Sequence, residues 1–198
     1  MTSGPTSGYG TVVHAALTLR RRPAAPRSAR LVAERPELRR HLEWAAAHFG
    51  DPRVARWHWP GPLGGPRNRE QVRERLRIQA AQCARDGYTL WMWREIGSRV
   101  LVGQIGLQPA EVEGERVVEV GWSIAPERWG EGFATEAAEV SLEWGFERAG
   151  LREIVSFAMV ENAPSLRVME KLGMRYERVF SRAGVPHSLY RMRREDWR

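Results

Sequence analysis

Along the chain, apolar positions alternate between a spacing of two and a spacing near 3.6, and most changes fall at a Gly, Pro or Asn. Residues 30–35 read as a short strand closed by Pro36. Leu38, Leu42, Ala45 and Phe49 then recur at helical spacing until Gly50-Asp51-Pro52 ends the helix. The Pro- and Gly-rich run 57–66 (WHWPGPLGGP) reads as a loop, and Val72, Leu76, Ala80 and Cys83 mark one face of a second helix. Strands at 88–93, 100–107 and 116–124 are joined by the short polar runs REIGS and PAEVEGE, which predicts an antiparallel meander. A helix over about 133–149 stops at Gly150, and an apolar strand spans 154–160. A third kind of signal follows, with Asn162 and Pro164 opening a helix and Gly173 closing it. Strands near 175–180 and 188–192 complete the order βααβββαβαββ, a mixed α/β (α+β) fold with a twisted, mainly antiparallel sheet flanked by helices.

The pattern fails before residue 29. Residues 1–28 mix Gly, Ser, Pro and Arg, so we expect a flexible basic extension there and one folded domain over 29–198. Five arginines (Arg20, Arg21, Arg22, Arg27, Arg30) precede the first acid, Glu34, and carry most of the formal charge of +7. The charge belongs to the extension more than to the domain, which disfavours nucleic acid as a partner. The arginines follow the short apolar patch rather than precede it, unlike a signal peptide. No apolar stretch approaches the ~18 residues of a membrane span, so no membrane partner is expected. One cysteine, Cys83, rules out an intrachain disulfide and fits a reducing compartment; a cytoplasmic enzyme is the simplest reading. Five histidines and one cysteine show no metal-ligand spacing, so no metal is expected.

The segment most suggestive of chemistry is 124–137 (IAPERWGEGFATEA), a strand feeding a glycine turn that opens a helix. Gly130 and Gly132 permit backbone conformations that turn successive N–H groups toward one point, and the helix start adds unpaired donors and partial positive charge. Such a turn suits a pyrophosphate, though it also serves an ordinary strand-to-helix connection. A Walker loop is excluded because Phe133-Ala134 follow Gly132, and a dinucleotide fingerprint because Thr135 stands where a third glycine belongs.

The run Trp129-Gly130-Glu131-Gly132-Phe133-Ala134-Thr135-Glu136-Ala137 resembles the coenzyme A loop of the GCN5-related N-acetyltransferase (GNAT) family, and specifically its RimJ/RimL-like branch of ribosomal-protein alanine N-acetyltransferases. The family pattern Gln/Arg-x-x-Gly-x-Gly/Ala maps onto Gly132 and Ala134, with Trp129 in the Gln/Arg position. The likeness runs from about residue 29 to 192 and includes ARLVAERP (29–36), EVGW (119–122) and NAPSLRVMEKLGM (162–174). It implies the GNAT acyl-CoA N-acyltransferase fold, acetyl-CoA as cosubstrate, and transfer of an acetyl group to a primary amine by direct attack. The loop residues Arg128, Trp129, Gly130, Gly132, Phe133, Ala134 and Thr135 would hold the phosphates. Main-chain groups at Trp122, Ser123 and Ile124, where the family's strand splays, would hold the pantetheine. Asn162 would bond the pantetheine amide, and Ser165 would face the sulfur.

Transfer needs a neutral amine, a donor for the developing oxyanion and protonation of the departing thiolate. Glu119, on the polar face of its strand, is the candidate base; the alternative is a carboxylate that pairs an arginine or fixes a loop. Many relatives carry a tyrosine near the position of Met169, which cannot act as an acid, so Ser165 is the candidate in its place. Trp57, His58 and Trp59 are the candidate acceptor-binding residues, with lid or core packing as the alternative and His58 as a conceivable second base. The acceptor is a protein N-terminus or a small amine, and a homodimer stays open. A rival reading is a catalytically silent acyl-CoA-binding regulatory module, which would keep the loop and Asn162 but lack base and acid.

Overall fold

In β2 (Leu90–Glu95) the run Trp91-Met92-Trp93 sends alternate side chains to opposite faces, and both faces are buried. Met92 joins a core with Leu42, Phe49, Val54, Val72, Leu76 and Leu101, whereas Trp91 and Trp93 join a larger one with Val120, Phe133, Leu142, Ile154 and Met169. The sheet is thus covered on both sides. The computed structural model describes residues 25–59 and 64–197. Helices α1 (Leu38–Gly50), α2 (Pro52–His58) and α3 (Arg69–Asp86) supply the first core. The second lies under α4 (Phe133–Glu143) and α5 (Ala163–Lys171).

Besides β2, the strands are β1 (Leu31–Glu34), β3 (Leu101–Val112), β4 (Glu115–Ile124), β5 (Glu153–Met159), β6 (Arg175–Arg182) and β7 (Val185–Arg193). They form one seven-stranded sheet in the order β1-β2-β3-β4-β5-β7-β6. Every neighbouring pair is antiparallel except β4 and β5, which are joined through α4 and run parallel. The predicted mixed fold and the meander β2-β3-β4 are both present.

Three local expectations need correction. The chain 57–66 is not all loop, because α2 occupies Pro52–His58. Asp51 ends α1 and also caps α2, its side chain accepting from the Arg53 N–H, with Pro52 in the first turn where its missing N–H costs nothing. The run 109–115 is not a connection either, since β3 continues through Pro109 to Val112 and pairs with β4 along its length. Pro109 is tolerated because Leu107 N bonds Thr89 O at the end of β2, so the N of residue 109 faces the edge that β2 has already left. The turn is Glu113-Gly114, both at positive φ (51° and 85°), as a two-residue hairpin requires. Finally, the fold begins before Ala29: Ala33 N bonds Pro26 O, and Ser28 bonds Leu31 and Glu136. The rest of the expected extension, 1–24, lies outside the described residues. Among the described residues no helix is long and apolar enough to cross a membrane.

Candidate active site

β4 and β5 share a single pair in register, Glu119 with Val155. Beyond it the two strands diverge, so the residues of β4 from Val120 onward lose their ladder partner on that side while still pairing β3 through Gly103–Ile124 contacts on the other. The gap opens into a cleft of about 490 Å³. Every candidate cofactor, catalytic and acceptor residue borders this cleft: Trp122, Ser123 and Ile124 from β4, Arg128, Trp129, Gly130, Gly132, Phe133, Ala134 and Thr135 from the loop and the start of α4, Asn162 and Ser165 at the start of α5, Trp57, His58 and Trp59 at the end of α2, and Glu119 at the point of divergence.

At the mouth, Gly130 (φ 84°) and Gly132 (φ 83°) adopt the left-handed conformation. Gly132 is the N-cap of α4 and offers no side chain to cap it, and the first bond back to it comes from Glu136 N. The first-turn N–H groups are therefore left to a ligand, as a phosphate cradle demands. Side chains the sequence did not single out brace the loop. The Glu136 carboxylate takes Ser28 Oγ (2.7 Å), Arg30 N (2.9 Å) and Arg30 Nε (2.7 Å), while Arg30 Nη2 reaches Glu131 O and its guanidinium covers the Phe133 ring. Trp129 is 48% exposed, and its indole N–H donates to Ile124 O, so that carbonyl is already engaged. Arg128 borders the cleft with its guanidinium held by Glu95 and Glu131.

Deeper in, Glu119 is only 7% exposed. Gln108 Nε2 donates to its Oε2 (2.8 Å), and its Oε1 lies over Gly121, 3.5 Å from where a Cβ would stand. Burial pushes the Glu119 carboxyl above the ordinary carboxylate range, against the Gln108 hydrogen bond and the charges of Arg182 and Arg75. Across the cleft, Asn162 caps α5 by accepting from Ser165 N, and Ser165 Oγ accepts from Trp122 Nε1 (3.3 Å). The Ser165 hydroxyl hydrogen is consequently left to point elsewhere. Met169 is fully buried in the core and does not line the cleft.

Opposite the cradle, Trp57 and His58 belong to the last turn of α2 and Trp59 follows it, a correction to their expected place in a loop. Phe49 meets His58 and Trp59 edge-on, so the aromatic wall is tied to α1. Burial, with the charge of Arg75 nearby, lowers the His58 pKa to about 3; the ring is neutral and too weak a base for the second-base role. Several lining groups gave no sequence signal because they come from separate elements: Arg75 on α3, Gln104 and Gln108 on β3, Arg182 on β6 and His187 on β7. His48 is hydrogen-bonded through Nε2 to Ser123 Oγ (2.7 Å) and stacks on Trp44, and burial lowers its pKa to about 4. The sequence pattern marks His48 only as part of a helix. Among the described residues no group of three or more His, Cys, Asp or Glu could hold a metal ion.

Residues 30–175 match the family model of the acetyltransferase (GNAT) domain. The chain is similar to the uncharacterised protein YkkB of Bacillus subtilis, 29% identical over 142 residues that cover 72% of this chain and 80% of that protein. It resembles the crystal structure of a GNAT-family acetyltransferase from Bacillus anthracis at 26% identity and a TM-score of 0.71, covering 86% of this chain and 98% of that one. RimL, a ribosomal L7/L12 alpha-N-protein acetyltransferase solved in complex with coenzyme A, shares the fold at 15% identity and a TM-score of 0.71, over 88% of this chain and 99% of that one.

Proposed function

The chain belongs to the GNAT acetyltransferase family, an acyltransferase enzyme family that uses acetyl-CoA, and we propose that it moves an acetyl group from that cosubstrate onto a primary amine by direct attack inside the β4/β5 cleft. The observation that carries the proposal is the divergence of β4 from β5 after Glu119, which sets a buried carboxylate at the apex of a cleft whose mouth is a glycine cradle. Bound acetyl-CoA would supply a thioester, an acyl group already activated toward an amine. The chain's own residues do the rest. The N–H groups after Gly130 and Gly132 and the start of α4 receive phosphate oxygens. The free edge of β4 offers main-chain groups to the pantetheine.

Glu119, ionised, takes the proton of the entering ammonium directly or through water, and its raised affinity for protons brings it closer to the amine it must deprotonate. Ser165 is held by Trp122 and the Asn162 cap, so its hydroxyl can donate to a sulfur as charge develops there. The Trp-Gly-x-Gly-Phe-Ala loop supports placement in the RimJ/RimL-like branch, with a protein N-terminus or a small molecule providing the amine. The catalytically silent module has no structural feature in its favour, because both candidate groups border the cleft.

The deciding experiment is thiol release from acetyl-CoA across a panel of small amines and N-terminal peptides. Release with at least one amine, matched by acetylated product, is the expected result. Tight coenzyme binding with no release from any acceptor would support the silent module.

A further inference from the structure

The acceptor side of the cleft contains a cation with no ion-pair partner among the described residues. Arg75 extends from α3 into the cleft lining, its guanidinium over the rings of Phe49 (5.1 Å) and Trp59 (5.9 Å). Its side-chain Nε is buried and has no hydrogen-bond partner, and Nη2 has only a 3.5 Å contact with Gln104 Oε1, an atom already bonded by Gln79. Among the described residues no carboxylate lies within ion-pair distance of it, and segments 1–24 and 60–63 contain neither Asp nor Glu. Arg75 as a whole is half-buried at the cleft, but a buried guanidinium nitrogen without a hydrogen-bond partner carries a desolvation penalty, and chains rarely leave one so. Burial lowers its pKa to about 10, with Arg67 adding to the effect and Glu119 opposing it, so it remains charged at neutral pH.

A second guanidinium, Arg182, stands over the ring of Phe157 on the opposite wall and also faces Glu119. The only carboxylate among the described lining residues is Glu119 itself. His58 and His187, which share this end of the cleft, are both driven toward their neutral forms by burial. The acceptor end is therefore cationic unless the substrate neutralises it. A polyamine or other purely cationic acceptor would meet two like charges with one carboxylate to offset them.

We propose that the acceptor carries its own anion, and that it is a free amino acid or similar small amino-carboxylate whose carboxylate is taken by the Arg75 guanidinium while its amine faces Glu119. The planar fork of Arg75 suits a carboxylate, with its two terminal nitrogens as parallel donors. The aromatic wall of Trp57 and Trp59 then packs beside the carbon skeleton. This rests on the transferase reading for turnover, but the anion site itself does not depend on turnover.

The test compares free L-amino acids with their carboxamides and with spermidine, using the full chain and its Arg75→Met variant. Two readouts are taken: thiol release from acetyl-CoA, and calorimetric binding of the acceptor to protein saturated with unacetylated coenzyme A. The wild type is expected to prefer an acid to its carboxamide by about 10- to 100-fold in both readouts, the worth of hydrogen bonds to a charged partner. Arg75→Met should abolish that preference and leave coenzyme affinity unchanged. Should Arg75→Met fail to fold, Arg75→Lys retains the charge without the fork and should narrow the preference, while the wild-type comparison stands alone. Equal use of acid and carboxamide, or preference for spermidine, would overturn the proposal and leave the transferase intact. No thiol release with any amine would instead remove the transferase reading, and calorimetry would still decide whether the anion site exists.

Discussion

Replacing Glu119 by Gln separates a catalytic from a structural carboxylate. The two side chains have the same shape, and the Gln carbonyl can still accept from Gln108 Nε2, whose 2.8 Å bond is the side-chain bond that holds this group among the described residues. What disappears is the capacity to hold a proton. Assistance by a positioned base is worth about 10²–10⁴-fold, or about 3–5 kcal/mol of barrier, so Glu119→Gln should lose that much turnover. The loss should be greatest below the acceptor's own pKa, about 7.7–8.0 for a peptide N-terminus and higher for a free amino acid, and should shrink above it where the free amine already predominates.

Stability should move the opposite way. Because burial raises the Glu119 pKa, the folded protein holds this proton more tightly than the unfolded chain does. Its contribution to stability is whole at acid pH and is lost as pH rises from the ordinary carboxylate range through the raised folded value. Gln does not titrate, so the melting temperature of the variant relative to wild type should climb across that window and stay high at neutral pH. Thiol-release kinetics from about pH 6 to 9, and melting curves from about pH 4 to 8, measure the two effects. A modest loss, equal at every pH, would make Glu119 structural and refute the assignment.

Gly132→Val places its Cβ 3.6 Å from Arg30 Nη2, and φ of 83° costs a side chain about 1–2 kcal/mol. Calorimetry should show acetyl-CoA affinity reduced at least about tenfold while the melting temperature falls by only about 2–8 °C. Ser165→Ala removes the acceptor of Trp122 Nε1 and the candidate thiol-side donor; turnover should fall at every pH with coenzyme affinity nearly unchanged, as kcat and KM measurements will register. Removing residues 1–24 should leave melting temperature and kcat unaltered, whereas removal through Arg30 should destabilise, because Ser28 and Arg30 then no longer hold Glu136 at the start of α4.

What could be read from the sequence was whatever a single segment encodes. The Trp129–Thr135 run combines turn, helix start and glycines within one stretch, so the cradle and its position were legible. The same holds for Asn162, Pro164 and Gly173, which punctuate α5 in the order a helix needs. Two boundaries were misread because one residue served two elements or obeyed an exception. Asp51 ends α1 and starts α2, and Pro109 continues a strand because its missing N–H faces an abandoned edge. Arg75, Arg182 and the His48–Ser123 bond were illegible for another reason. Each is an ordinary surface or helix residue by pattern, and only the packing of separate elements brings Arg75 and Arg182 to the cleft and His48 behind its lining residue Ser123.

The central claim is that acetyl passes directly from thioester to amine within one cleft. A rapid-mixing single-turnover experiment with mass analysis of protein and products tests it. With acetyl-CoA alone, the account expects no thiol release and an unmodified protein; on adding a competent amine, thiol and acetylated amine should appear together at the same rate. Thiol released before the amine is added, together with an acetylated protein, would contradict direct transfer.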